Sequence, residues 1–233
     1  MSVDSASGRN SPPDITSGNW QWFVVGRWQE FAGEARANLL RIIAVGSFYL
    51  VELINYRLIG QGSEEYLAFH RSATAVAVAW TLLSLGVLLC LRRQIFPPAL
   101  KFISTSLDII LLTCLAMSVP GATGGPASPL TFIYFMIIAL AALRFSLPLV
   151  WMATLGSMAG YMTLVAITDM REHGQWFDAD HVVPVVEQLM MLLALGLTGI
   201  IVGQVIRRVR SVAEEFNQRM QAFGATDTAT DAG

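Results

Sequence analysis

The sequence predicts an all-α polytopic membrane protein with six transmembrane helices. Hydrophobic residues make up 54% of the 233-residue chain and charged residues only 14%, whereas a typical soluble domain has about 25% charged residues. The few charges are clustered and leave long apolar segments between them, as expected of a chain whose solvent is a lipid bilayer. The net charge of −2 is too close to zero to indicate a nucleic-acid partner.

A helix needs about 20 apolar residues to cross a bilayer. Six segments within a transmembrane domain at 38–206 meet this requirement: 39–59, 72–91, 98–119, 128–146, 147–168 and 182–206. The fourth and fifth are separated only around Arg144 and Pro148, and because proline disfavours helix at the residue before it, we expect a tight turn there. One helix through both segments would exceed the bilayer thickness about twofold.

The distribution of basic residues predicts that both termini are cytoplasmic. With an N-in orientation, twelve of the 15 Lys and Arg residues fall on the cytoplasmic side. The other three, Arg57, Arg71 and Arg171, fall outside. Such an excess on one side of short loops is the usual signature of orientation. We therefore expect a multi-pass protein of the bacterial inner membrane.

The segments on either side of the membrane domain differ in character. Residues 1–18 are polar and read as a disordered tail, and 19–37 carry Trp and Phe at helical spacing, which predicts an amphipathic helix on the inner membrane surface. An ordinary packed helix is the alternative for 19–37. Residues 207–223 predict a helical extension, either a short coiled-coil stalk or a solvated helix, and 224–233 predict a second disordered tail.

Ionisable residues inside predicted spans are costly, so each needs an explanation. Asp108 lies near the middle of the third span, and we interpret it as a residue that holds helices together. Glu52, Asn55, Glu187 and His181 fall in the outer part of the bilayer or at its edge. They predict either an outward polar pocket for a quinone headgroup, a proton or a metal ion, or a set of hydrogen bonds between helices. The sequence contains no histidine spacing typical of a metal site, so no resident metal is expected.

Two small-residue motifs predict close helix packing. Gly156 and Gly160 in the fifth span, and Gly199 and Gly203 in the sixth, have the GxxxG spacing that lets helix backbones approach each other. The spacing is compatible both with packing inside one chain and with a homodimer.

Three segments resemble the sensor region of a known group of proteins. They are 38–45 at the start of the first span, 107–113 around Asp108, and 124–130 followed by an apolar span that ends at Arg144. Together they resemble the six-helix membrane region of bacterial histidine kinases of the redox-responsive RegB/PrrB group, over about residues 38–210. The chain is also similar to uncharacterised six-span membrane proteins of planctomycete-type bacteria.

The resemblance implies a site that senses quinone redox state, with Gly124, Gly125, Ser128 and Pro129 at it. The chain departs from the kinases after Met220, where neither a phosphoacceptor histidine segment nor an ATP-binding domain follows. The resemblance therefore implies a sensor region without the kinase half.

The function that we expect is a sensory module that acts on a separate cytoplasmic kinase or cyclase. A small transporter or channel that uses intramembrane acids is the alternative. No motif of an intramembrane enzyme is present in the spans, so no catalytic residue is predicted.

Overall fold

The described part of the chain is entirely helical. The computed structural model describes residues 15–58, 64–93, 99–119, 125–173 and 184–230, and these ranges contain no β-strand. The helices are α1 (Ile15–Leu58), α2 (Glu64–Arg92), α3 (Ala99–Met117), α4 (Ile133–Ala142), α5 (Leu147–His173) and α6 (Val185–Thr230). Two short 3-10 helices, Gly125–Ala127 and Pro129–Phe132, precede α4.

Five helices within the described ranges are long and apolar enough to cross a bilayer. Their apolar parts are Ala32–Leu58, Tyr66–Arg92, Ala99–Met117, Leu147–Arg171 and Val185–Phe216. Their outer faces expose many large aliphatic side chains, such as Leu82 at 63% and Leu193 at 69%. Because a water-exposed surface of this kind would be strongly unfavourable, the chain is a polytopic helical membrane protein whose outer surface contacts lipid.

The segment containing α4 is shorter but runs from one end of the bundle to the other. At one end, which we call the basic end, Arg144 after α4 donates to the carbonyl of Lys101 in the first turn of α3, at 2.8 Å. At the other, the loop end, Gly125 lies against Thr168 near the end of α5. Pro129–Ala142 extends about 23 Å by helical rise and α3 about 28 Å, so the two nearly match in length.

Gly125 is required at its position for two reasons. Its φ is 60°, a left-handed conformation that glycine adopts without strain. A Cβ there would also lie 2.7 Å from the Thr168 hydroxyl oxygen. Gly125 thereby allows the chain to turn tightly against α5 before α4 begins.

α3, α4 and α5 form the densest part of the core. Leu112, Tyr134, Ile138, Leu149 and Leu164 are each fully buried there. The Tyr134 hydroxyl lies 2.7 Å from the hydroxyl of Thr113, which also donates to its own helix backbone. The tyrosine therefore keeps a polar partner inside an otherwise apolar core.

Both GxxxG motifs serve packing within the chain. A Cβ at Gly156 or Gly160 would lie 2.7 to 3.1 Å from atoms of Ile109 on α3. A Cβ at Gly199 would collide with the Thr154 side chain on α5, and one at Gly203 would lie 3.5 Å from Leu147. Gly156 and Gly160 thus let α5 approach α3, and Gly199 lets α6 approach α5, whereas a Cβ at Gly203 would make only an ordinary van der Waals contact.

The observed helix bounds differ from the sequence prediction at both ends of the chain. α1 is continuous from Ile15, so the predicted surface helix at 19–37 and the first span form one helix, and residues 15–18 belong to it. α6 likewise continues through 224–230. Neither boundary contains a proline, and extending an existing helix by one residue costs far less than starting a new one. Residues 1–14 and 231–233, the side chains of 15–31 and most side chains after residue 216 lie outside the described part.

α4 and α5 are separate helices, joined by a turn at 143–146. Phe145 in this turn has a φ of 48°, which is uncommon for a residue with a side chain. Its carbonyl accepts a hydrogen bond from Arg210 on α6, and Pro148 is the second residue of α5. Proline is well tolerated there because the first turn of a helix has no carbonyl partner for its amide.

Candidate functional site: a buried polar cluster and an apolar cavity

Five charged or amide side chains meet inside the bundle towards its basic end. We call Glu34, Asn38, Arg41, Asp108 and Arg144 the polar cluster; each residue is at most 6% exposed. Three come from α1, one from α3 and one from the turn after α4. The spacing of the α1 members, three to four residues apart, places them on one face of that helix.

Arg41 and Asp108 form the central ion pair. Arg41 Nη2 and Nε donate to Asp108 Oδ2 at 2.5 and 3.2 Å. The other carboxylate oxygen accepts from Trp80 Nε1 at 2.9 Å. Arg41 Nη1 donates to the Asn38 side-chain oxygen, and the Asn38 amide donates to the Ser84 carbonyl. The two charges therefore neutralise each other, and each group has a further hydrogen-bond partner.

Glu34 and Arg144 form the second ion pair, with 2.9 Å between Arg144 Nη2 and Glu34 Oε1. This contact is electrostatic and lacks hydrogen-bond geometry, since Glu34 Oε1 has no hydrogen-bond partner. Arg144 Nη1 donates to the Thr105 hydroxyl at 2.9 Å as well as to the Lys101 carbonyl. Gly33 lets α1 approach this turn closely, because a Cβ there would lie 2.9 Å from the Leu143 carbonyl oxygen. The pair fastens α1 to the turn between α4 and α5.

A cavity of about 420 Å³ lies beside the polar cluster, between α1, α2, α3 and the segment 128–140. Its walls are mostly aliphatic and aromatic, and its volume falls in the usual range for small-molecule sites, roughly 300–1,000 Å³. Phe48 and Val51 on its edge are 44% and 64% exposed. The cavity therefore opens at α1 towards the lipid-facing surface.

Polar groups line the cavity at two levels. At the first, Arg41, Asp108 and Trp80 reach the wall, with their hydrogen-bonding groups already paired as described. At the second, towards the loop end, the wall contains Glu52 and Asn55. Arg41 and Glu52 are eleven positions apart, which corresponds to about 16 Å along α1. An elongated molecule with a polar group facing the loop end matches this arrangement.

Glu52 has a histidine partner on α2. His70 Nδ1 lies 3.0 and 3.1 Å from the two carboxylate oxygens of Glu52. The imidazole stacks on the Tyr56 ring, with 4.1 Å between ring centroids, and faces Tyr49 at 6.5 Å. These contacts hold the histidine ring in place, so that it meets the carboxylate through Nδ1.

The structure brings together some of the sequence-predicted site residues. Glu52, Asn55, Ser128 and Pro129 all line the cavity. Gly125 lies behind it, against α5. His181 and Gly124 fall outside the described residues.

Glu187 is separate from this group. Its side chain is exposed on α6, which packs against α5 and α4, whereas Glu52 is on α1, which packs chiefly against α2. The predicted pocket containing both acids is therefore not formed by these two residues. Equal depth in the membrane does not make two residues neighbours when their helices belong to different parts of the bundle.

Asp108, interpreted from the sequence as a residue joining helices, links α3 to α1 and α2 through its two partners. Sequence reasoning missed Arg41 as its partner, as well as the pairs formed by Glu34 and by His70. One signal was available: an arginine within a predicted span needs a buried acid, and Asp108 was the acid nearest mid-span.

The described residues contain no group of three or more His, Cys, Asp or Glu side chains able to hold a metal ion. Comparison with protein-family models, curated proteins and solved structures finds no match.

Proposed function

We propose that this protein is a membrane-embedded sensory module that binds a small amphipathic molecule in the cavity and acts through α6 on a separate cytoplasmic partner. The observation that carries the proposal is the cavity itself: it is apolar, opens towards lipid and has polar groups at defined levels. A molecule dissolved in the bilayer would reach it without crossing water. We propose no catalytic activity and no resident cofactor; the resemblance described above implies a quinone as one occupant.

α4 is the element that connects the cavity to α6. Ile133, Met136, Ile137 and Leu140 on α4 line the cavity, and α4 also packs against α6. Ile137 and Leu195 of α6 belong to the same buried core. A molecule that displaced α4 would therefore act on a helix that packs directly against α6, which gives a physical route for coupling.

α6 carries an exposed apolar seam that begins near the end of its predicted span and continues into the predicted extension at 207–223. Val205, Val209, Val212 and Phe216 are 46 to 62% exposed and recur every three or four residues. This spacing suits a helical partner, either in a kinase or cyclase or in a second copy of the chain. The extension thus supplies the output surface of the proposed module.

A crosslinking experiment tests this output. A photoreactive amino acid at Val212, in cells of the source organism, should yield a crosslink to a kinase or cyclase. The same label at Leu193, on the lipid-facing surface of α6, should not. A chain that remains monomeric and crosslinks to no such enzyme from position 212 would contradict the proposal.

We further propose that the chain crosses the bacterial inner membrane six times, with both termini in the cytoplasm. The support is the excess of basic residues on one side and the path of α4 from the loop end to the basic end. Single cysteines test it after Cys90 and Cys114 are replaced by serine. Phe145→Cys and Ser211→Cys should react with an impermeant thiol reagent only from the cytoplasmic side, and Ala127→Cys only from outside. Labelling of positions 127 and 145 from the same side would show that α4 does not cross.

A small transporter or channel is the second candidate, because the Glu52–His70 pair is an intramembrane acid and base beside a cavity. Purified protein in proteoliposomes distinguishes the two functions. Flux of protons or cations that depends on Glu52 would favour transport. Ligand binding without flux would favour sensing.

A further inference from the structure

We propose that the cavity recognises a lipophilic organic cation, with its positive group beside Glu52 and its apolar part directed towards Trp80. This inference rests on the proposed function insofar as both require a small molecule in the cavity. It adds the charge and the orientation of that molecule, which neither the topology nor the sensory proposal specifies.

The deeper polar level offers little to a ligand. Arg41 uses Nε, Nη1 and Nη2 on Asp108 and Asn38. Asp108 accepts from both Arg41 and Trp80, and its charge is matched by that of Arg41. A headgroup that displaced either partner would break a buried ion pair, which is strongly unfavourable.

Glu52, by contrast, retains the capacity to accept further hydrogen bonds. A carboxylate has about four lone-pair positions, and the described contacts of Glu52 are those to His70 Nδ1, which approaches both oxygens from one side. The side chain is 13% exposed and lines the cavity. Its remaining acceptor positions therefore suit a donor or a positive charge within the cavity.

Aromatic side chains also line the cavity that contains this acid. Phe48, Tyr49 and Phe69 line the same cavity as Glu52. The two α1 aromatics lie within about one turn of Glu52, and Phe69 adjoins its partner His70 in sequence. Aromatic faces attract organic cations, and the attraction increases when water is excluded. A carboxylate and aromatic side chains in the wall of one apolar cavity are the combination that favours a lipophilic cation over a neutral molecule of the same shape.

Wild-type protein in nanodiscs of zwitterionic lipid gives the direct test, with empty nanodiscs as the blank. Three probes of related shape differ in charge: methyltriphenylphosphonium, neutral triphenylphosphine oxide and anionic tetraphenylborate. We expect saturable binding of the cation, at least about tenfold tighter than that of the neutral probe, because Coulombic attraction to a largely buried carboxylate and cation–π contacts together contribute at least that factor.

Two variants locate the site. Glu52→Gln should weaken cation binding about tenfold or more and leave binding of the neutral probe unchanged. Glu187→Gln, the matched control, removes an exposed acid that does not line the cavity and should have no effect. Retained binding of the neutral probe by Glu52→Gln shows that the variant is folded.

The outcomes separate the two proposals. Equal binding of the neutral and cationic probes would overturn the cation inference, and would favour an uncharged occupant such as a quinone while leaving the sensory proposal in place. Tighter binding of the anion would also overturn it. Binding of none of the three probes would contradict both this inference and a ligand-binding cavity.

Discussion

Replacing Asp108 by asparagine isolates the energetic role of the central ion pair. The change removes one charge but keeps the shape and an oxygen that can accept from Trp80. Arg41 would then be a charge whose side chain is 4% exposed, without its counter-ion. Leaving one partner of a buried pair uncompensated costs about 3–5 kcal/mol, whereas removing both charges is often nearly neutral. We therefore expect Asp108→Asn to lower the free energy of unfolding by about 3–5 kcal/mol. The double variant Arg41→Met/Asp108→Asn should recover most of that loss.

Steric trapping in bicelles measures these free energies of unfolding directly. Glu215→Gln provides the matched control: Glu215 pairs with Arg219 on α6, but the two side chains are 61% and 70% exposed. Its loss should cost less than about 1 kcal/mol, as for other exposed pairs. The reasoning would be refuted if Asp108→Asn cost as little as this control, or if the double variant were as unstable as the single one.

Three further changes test the packing. Gly160→Ala should lower the free energy of unfolding by about 1–3 kcal/mol, because the new Cβ would lie 3.0 to 3.1 Å from Thr113 and Tyr134. The control is Gly86→Ala, whose new Cβ would have no atom within 4 Å. It should be neutral or stabilising in the same unfolding assay. Thr113→Val should lower the free energy of unfolding by about 1–3 kcal/mol, because it leaves the Tyr134 hydroxyl unpaired. Adding Tyr134→Phe should restore part of this loss. Strict additivity of the two effects would argue against a hydrogen bond between these residues. Glu34→Gln should make the turn after α4 more accessible to proteolysis, and an unchanged cleavage pattern would show that the pair does not fasten α1 to it.

The helical membrane architecture could be predicted from the sequence because it depends on local composition. Long apolar segments specify helices in a bilayer irrespective of how they pack. The break before Pro148 was also local. The continuity of α1 was not predictable in the same way, since the compositional change near residue 37 reflects a change of surroundings along one helix rather than a break in it.

The pairing of polar residues required the three-dimensional arrangement. Arg41 and Asp108 are separated by 67 positions and Glu52 and His70 by 18, so no spacing rule connects them. Glu34 was assigned to a predicted surface helix, yet it is 1% exposed because α1 passes directly over the turn after α4. Such pairs depend on which helices are neighbours, and apolar periodicity does not specify that order.

The central claim is that occupation of the cavity changes α6, and a cavity-filling variant measures this without knowledge of the ligand. Ala73 lines the cavity and is 6% exposed, whereas Ala75 on the same helix faces outwards. Ala73→Phe should alter the electron paramagnetic resonance spectrum of a spin label at Ser211 on the α6 extension, in the Cys90→Ser/Cys114→Ser background. Ala75→Phe should leave that spectrum unchanged. An unaltered spectrum for Ala73→Phe, in protein shown to be folded, would contradict the sensory account.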